Sequence, residues 1–491
     1  MADAAPLVST THGPVVGRRR RGALLYAGIP YAAPPTGERR FAPPAPPEPW
    51  SEPLEATRFG PAAPQLPGEG LTNAMAVDWD EDCLTLNVCT PAADDRGRAV
   101  MVWIHGGDYR HGTGATPWYD GTSFAVEGDI VVVTINYRLG VLGFAAVDGE
   151  PLSAVNGLLD QRAALDWVHH NIAAFGGDPA RITVAGESAG AFSVASQMVL
   201  PGGDATIRGA ILQSGAGHHV LAAAAAQEAA DRLLAELEVG RGDLAALRAL
   251  PVPDLLGAQQ RVEAVAGSFL GAAQSPFYPS VVDGLLPERP IDAMVAGAGH
   301  DIAVVAGTNA DETALWGMQA VPEDKLERII GRYVDDPVAL IDVYRRAMPE
   351  ATAGQLALAI STDHTFAIPA VRLGEARSGA AAPTWMYEFD WKSRAFGGAL
   401  GACHALEIPF TFATLGAPGV DVFLGTGELP TALAAEMHGA WSAFIRDLHP
   451  GIDTWDRYDL ADRVVYRFAE GGSGPVSDPC AARRTAWDGL R

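Results

Sequence analysis

From Ala99 onward the chain alternates two kinds of pattern. Short, mostly apolar runs, Val100 to Ile104, Ile130 to Ile135, Ile182 to Ala185, Ala210 to Leu212 and Ile302 to Ala306, lack a regular polar alternation. That is expected of strands buried on both faces of a parallel sheet. Between them, apolar residues recur at three- and four-residue steps. Leu158, Ala164, Leu165, Val168, Ile172 and Phe175 form one such stripe, with Asn156 placed to cap it and Gly176 and Gly177 to end it. Leu221 to Leu237 and Pro430 to Phe444 have the same helical character. Alternation of this kind predicts an α/β fold with a mostly parallel central sheet and helices on both faces. The region before about Gly70 differs: it is rich in Pro, Gly and Arg, with short β-like runs at Gly13 to Val16 and Leu24 to Tyr26, which predict an irregular antiparallel edge. Neither an internal repeat nor a long linker divides the chain, so residues 1–491 are expected to form a single domain.

Charge excludes some partners. The net charge of −24 would repel a phosphate backbone, and the one basic run, Arg18 to Arg21, is too short to reverse that field. This run precedes apolar Ala23 to Tyr26, the order of a twin-arginine signal, but Pro30, Pro34 and Pro35 break the apolar segment. No stretch approaches the ~20 apolar residues that span a bilayer. A protein that binds neither nucleic acid nor membrane is expected, in the cytoplasm, as a monomer or small homo-oligomer. Only Lys325 and Lys392 are lysines, so nearly all positive charge is arginine, as a GC-rich coding bias gives and as salt adaptation would also give. Cys83, Cys89, Cys403 and Cys480 are scattered without metal-ligand spacing and read as free thiols rather than as a disulfide scaffold or a metal site.

The sharpest chemical signal is Gly186-Glu187-Ser188-Ala189-Gly190, directly after the strand ending at Ala185 and before a helix-like run to Leu200. This is the strand, elbow, helix setting of a nucleophilic serine, in which flanking glycines admit a close approach of neighbouring chain. A serine hydroxyl needs a base within hydrogen-bond reach and a third group to fix the base's tautomer, in the chain order serine, acid, histidine for this elbow. Of 12 histidines, His404 lies downstream in an apolar-flanked loop, Ala402 to Phe410, whereas His364 and His438 fall inside helical patterns and His449 in a turn. The strand Ile302 to Ala306 leads into Asp311 and Glu312, and either could be the acid.

Several blocks carry a resemblance that runs nearly end to end. They are Gly28-Ile29-Pro30-Tyr31-Ala32, Glu81 to Asn87, Trp103-Ile104-His105-Gly106-Gly107, Asn136-Tyr137-Arg138, Phe175 to Pro179, and the elbow. Together they make the chain similar to the type-B carboxylesterase and cholinesterase family, and within it to bacterial members of the para-nitrobenzyl-esterase or aryl-carbamate-hydrolase kind. The resemblance implies an α/β-hydrolase fold with inserted loops and helices capping the site. It implies Glu312 as the acid, supports His404 through the block His404 to Phe410, and implies an oxyanion hole of the Gly107, Asp108 and Ala189 N–H groups. It also implies that Arg40 with Glu81, and Arg138 with Asp160, are structural ion pairs. Eukaryotic relatives form a disulfide with the cysteine of the Cys83 block, but no cysteine precedes Cys83 here, in keeping with a reducing compartment.

The expected activity is hydrolysis of small, neutral, fairly apolar carboxylic esters through an acyl-enzyme on Ser188, with no cofactor. Carbamate or amide hydrolysis is the alternative, since Gly397 to Phe412 resembles bacterial esterases that cleave aryl carbamates; thioester hydrolysis lacks a basic patch for phosphates. A non-catalytic binding protein is disfavoured because all three triad residues are present. Tyr109, Phe192, Phe277, Trp316 and Phe366 are aromatic candidates for the substrate pocket, each also suited to plain core. Asp108 stands where the resemblance leads to glycine or alanine. A carboxylate ~6 Å from the oxyanion, at an effective dielectric of ~20, would oppose it by roughly 3 kcal/mol. The side chain is therefore expected to turn away and pair with Arg110 or His111, to be neutral, or to face the pocket and select cationic or donor-bearing substrates.

Overall fold

The computed structural model describes residues 6–68, 77–266 and 275–490. The N-terminal region contains β1 (Leu7–Ser9), β2 (Pro14–Val16), β3 (Arg18–Arg20), β4 (Ala23–Pro30) and β5 (Leu54–Glu55). Then come β6 (Thr85–Thr90), β7 (Arg98–Ile104), β8 (Val131–Ile135), β9 (Gly177–Glu187) and β10 (Ile207–Gln213). The last strands are β11 (Ala303–Asn309), β12 (Thr384–Phe389), β13 (Val464–Phe468) and β14 (Gly474–Ser477).

Eleven of these form one sheet, in the order β14-β13-β12-β11-β10-β9-β7-β8-β6-β4-β3. Its seven inner strands, β8 through β13, are mutually parallel, and the pairings at both margins are antiparallel. Every residue of β7, β8 and β11 is buried, which accounts for their largely apolar sequences. Two large apolar clusters cover the two faces: Val100, Val102 and Ile104 of β7 belong to one, Met101 and Trp103 to the other. That alternation along a single strand is the period-two geometry of the pleat. This is the α/β-hydrolase architecture.

The differences from expectation are local. The edge region to about residue 70 splits: β3 and β4 extend the main sheet antiparallel, while β1, β2 and β5 form a separate small sheet in which β2 and β5 run parallel. Residues 1–5 and 69–70 of that region lie outside the described residues. Strands β6, β12 and β13 lack the sequence signature used above. Thr85, Asn87 and Thr90 interrupt β6, and its Asn87 is consumed by hydrogen bonds to Gly28 N–H and Thr134 Oγ1. Asn156 is the first residue of the helix Asn156–Asn171 rather than its cap, because its amide donates to the Phe41 carbonyl at 2.6 Å. The predicted stop is met one element later, where Gly176 adopts φ 84°.

Candidate active site

Ser188 sits between β9 and the helix Ala189–Val199 with φ 55° and ψ −124°, a backbone conformation that ordinary residues avoid. The surrounding contacts hold it there. Its N–H donates to the Gln213 carbonyl on β10 at 2.9 Å, and its carbonyl accepts from Phe192 N–H at 3.0 Å. Glycine is required on each side: a Cβ on Gly186 would meet the Gly190 carbonyl carbon at 2.5 Å, and one on Gly190 would meet the Ile104 carbonyl oxygen at 2.0 Å. The turn that follows β7 lies against the elbow, since a Cβ on Gly106 would come within 3.1 Å of Ser188 Cβ.

Glu312 begins a short turn just after β11 and is fully buried. One carboxylate oxygen, Oε1, accepts from Asn309 N–H at 2.8 Å; the other, Oε2, lies 2.6 Å from His404 Nδ1. His404 N–H also donates to the Glu312 carbonyl at 3.1 Å, so backbone and side chain together fix the pair. Asp311, the competing acid, points elsewhere. Its Oδ2 accepts from Lys392 Nζ at 2.5 Å and from Ala402 N–H at 2.9 Å, which ties down the loop that carries His404.

The outer imidazole nitrogen, Nε2, lies 3.1 Å from Glu187 Oε1, the residue just before Ser188. Two further buried carboxyls thus surround the ring. Glu407 accepts from Asn309 Nδ2 at 2.6 Å and Gln213 Nε2 at 3.1 Å. Burial pushes Glu407 up to about 7 and Glu187 up to about 8. Burial by itself would lower His404, but the charges of Glu187 and Glu312 outweigh it and raise the imidazole to about 9. With Glu312 on Nδ1, the Glu187 carboxylate stands beside Nε2, the nitrogen that would have to lose a proton before it could act as a base.

Of the expected oxyanion donors, Gly107 has φ 110° and leaves no room for a Cβ, which would meet the His111 carbonyl oxygen at 2.2 Å. Ala189 is the first residue of its helix, where an N–H lacks an intrahelical acceptor. The Asp108 side chain is paired with Arg110, Nη2 to Oδ2 at 2.7 Å, and not with His111. It has a second partner that sequence reasoning did not find, the Tyr278 hydroxyl, which donates to Oδ1.

The aromatic candidates divide. Trp316 and Phe366 flank His404, with ring centroids 5.1 and 4.7 Å from that of its imidazole. Tyr109, Phe192 and Phe277 are buried. Tyr109 packs edge-on against Phe144 and Tyr278, and Phe192 stacks on His219 at 3.8 Å. Phe277 belongs to the apolar cluster that covers one face of the sheet, as do Tyr109 and Phe192. Glu187, Glu407 and Tyr278 were missed; the available signal was two acids inside otherwise apolar blocks, at the elbow and in Ala402 to Phe412.

The model of the carboxylesterase family matches residues 4–480. The chain belongs to the carboxylesterase family. It is 37% identical over 470 residues to para-nitrobenzyl esterase of Bacillus subtilis (strain 168), covering 92% of each chain. It is 33% identical to phenmedipham hydrolase of Pseudarthrobacter oxydans, covering 96% of this chain and 97% of that one. The solved structure of the Geobacillus stearothermophilus carboxylesterase EST55 superposes with a TM-score of 0.86 at 36% identity, over 98% of this chain and 99% of that one. This member of the family is a carboxylic ester hydrolase. Among its described residues no helix is long and apolar enough to cross a membrane.

Proposed function

We propose that this esterase hydrolyses small, neutral, fairly apolar carboxylic esters through an acyl-enzyme on Ser188. The observation that carries the proposal is the 2.6 Å contact of Glu312 Oε2 with His404 Nδ1 on an imidazole whose other nitrogen reaches the elbow. In this reading Nε2 takes the Ser188 proton as Oγ attacks the ester carbonyl. The tetrahedral oxyanion is met by the N–H groups of Gly107, Asp108 and Ala189, and the proton is returned to the leaving alcohol. Water then repeats the sequence on the acyl-enzyme. Trp316 and Phe366 beside the base favour apolar groups on the ester. A second reading, cleavage of aryl carbamates by the same triad, is favoured by the similarity to phenmedipham hydrolase.

The eleven-stranded sheet supports treating 1–491 as one unit, and a triad completed within one chain supports function as a monomer or small homo-oligomer. Four free cysteines support a reducing, cytoplasmic compartment, and the likeness to bacterial esterases supports a bacterial source. Stoichiometric labelling by a fluorophosphonate, lost in Ser188→Ala, tests the nucleophile. Rates on p-nitrophenyl esters of rising chain length, set beside an aryl carbamate, separate the two readings: a carbamate preferred over every ester would reverse their order.

A further inference from the structure

Asp108 offers one N–H to the proposed oxyanion site while carrying a carboxylate on the same Cα. Asp108 and Tyr109 have φ of 58° and 55°, a region that aspartate tolerates and that a bulky aromatic residue does not favour. Two such residues in succession persist only where their surroundings over-determine them, and here the surroundings are specific. Arg110 and His111 N–H both donate to the Gly107 carbonyl, at 3.0 and 2.9 Å, which turns the chain back so that the Arg110 guanidinium returns to Asp108. From there a chain of contacts runs into the scaffold. Arg110 Nη1 donates to Glu263 Oε2 at 3.1 Å, Gln259 Nε2 donates to Glu263 Oε1 at 2.9 Å, and Val141 N–H donates to Gln259 Oε1 at 3.0 Å. On the other side the Tyr278 hydroxyl donates to Asp108 Oδ1, and its ring packs edge-on against Tyr109 at 5.1 Å.

The Asp108 side chain is only 19% exposed; burial raises its carboxyl above the usual range, while the Arg110 charge, the Tyr278 hydroxyl and His404 act to keep it ionised. It is within electrostatic reach of the reacting atoms. We infer that Arg110 and Tyr278 are positioning residues for ester hydrolysis, neutralising and holding aside the Asp108 carboxylate so that the N–H of the same residue can serve the oxyanion. This rests on the Ser188 reading given above. Without its partners, a carboxylate that stays ionised about 6 Å from the oxyanion at an effective dielectric of about 20 would slow the reaction by up to about a hundredfold. The substrate ester is neutral and the charge appears only in the transition state, so the loss falls on kcat and not on KM.

The test compares wild type, Arg110→Met, Asp108→Asn and the double variant on p-nitrophenyl acetate, with fluorophosphonate labelling of each. Arg110→Met should lower kcat by about ten- to a hundredfold with KM within about threefold. In the Asp108→Asn background the same substitution should change kcat less than about threefold, because no charge is left to neutralise. Equal losses in the two backgrounds, or no loss in either, overturn the inference. If Arg110→Met fails to fold, Tyr278→Phe in the same two backgrounds replaces it: the expected loss of about three- to tenfold in kcat is present with Asp108 and absent with Asp108→Asn, and parity overturns the inference. Labelling keeps the two levels apart. An unlabelled wild type removes the Ser188 reading itself, whereas a labelled wild type without coupling removes only the roles of Arg110 and Tyr278.

Discussion

His404 Nε2 lies 3.1 Å from Glu187 Oε1, so a carboxyl stands beside the nitrogen proposed to accept the Ser188 proton and favours its protonated form. A protonated imidazole cannot accept from Ser188, and activity requires that proton to leave. With His404 raised to about 9, the ascending limb of kcat/KM against pH should lie above the ordinary imidazole range near 6.5, with the rate still rising between pH 7 and 8.5. Glu187→Gln removes the larger of the charges that hold the proton on, so the limb should move to lower pH. A limb that stays in place, or moves up, would show that Glu187 does not set the basicity of His404.

Ser188 and His404 are proposed to act as one unit. Replacing either by alanine should lower kcat by several orders of magnitude, and replacing both should cost little more than replacing one, because each change already removes the activated nucleophile. Losses that multiply would mean that the two residues contribute independently, and would sink the triad.

Adjacent acids provide a sharper contrast. Glu312→Gln keeps the shape but allows the amide to hold the wrong imidazole tautomer, and kcat should fall by about three to four decades, as for an asparagine replacing a triad aspartate. Asp311→Asn weakens the tie to Lys392, a half-exposed contact, and should change kcat by less than about tenfold while lowering the thermal midpoint slightly. Steady-state kinetics of the two variants decide it; the opposite ranking would move the acid role to Asp311.

The parts of this molecule that were legible in its sequence are those where local chemistry leaves few choices. Strands buried on both faces are mostly apolar, so the central segments of β7 through β11 stand out, and the elbow needs glycines where the structure has no room for a Cβ. β6 was invisible because its Asn87 and Thr90 are satisfied by partners distant in sequence, and β13 because its exposure alternates at a sheet margin. Asp311 and Glu312 could not be separated from the residues alone. Their one-residue offset sends one carboxyl to Lys392 and the other to His404, a difference set by the path of the loop after β11. The Tyr278 partner of Asp108 lies 170 positions away, and no local pattern pairs them.

Arg138 and Asp160 form an ion pair in a setting unlike that of the surface arginines. Arg138 Nη2 meets Asp160 Oδ1 at 2.7 Å, its Nε meets Oδ2 at 2.8 Å, and its own N–H also donates to Oδ2, at 3.0 Å. Asp160 is fully buried, and Arg138 Nη1 donates further to the Ala42 carbonyl at 2.7 Å, linking the N-terminal region to the helix Asn156–Asn171. Asp160→Asn keeps the volume but leaves a guanidinium buried without its counter-charge, a change that typically costs about 3 to 5 kcal/mol. The midpoint of urea unfolding should therefore fall markedly, while the protein that remains folded should keep its kcat, since neither residue touches the triad. Asp160→Asn with an unchanged midpoint would show that water or another acceptor reaches Arg138. A selective loss of kcat at full stability would place the pair in the catalytic machinery and contradict its structural role.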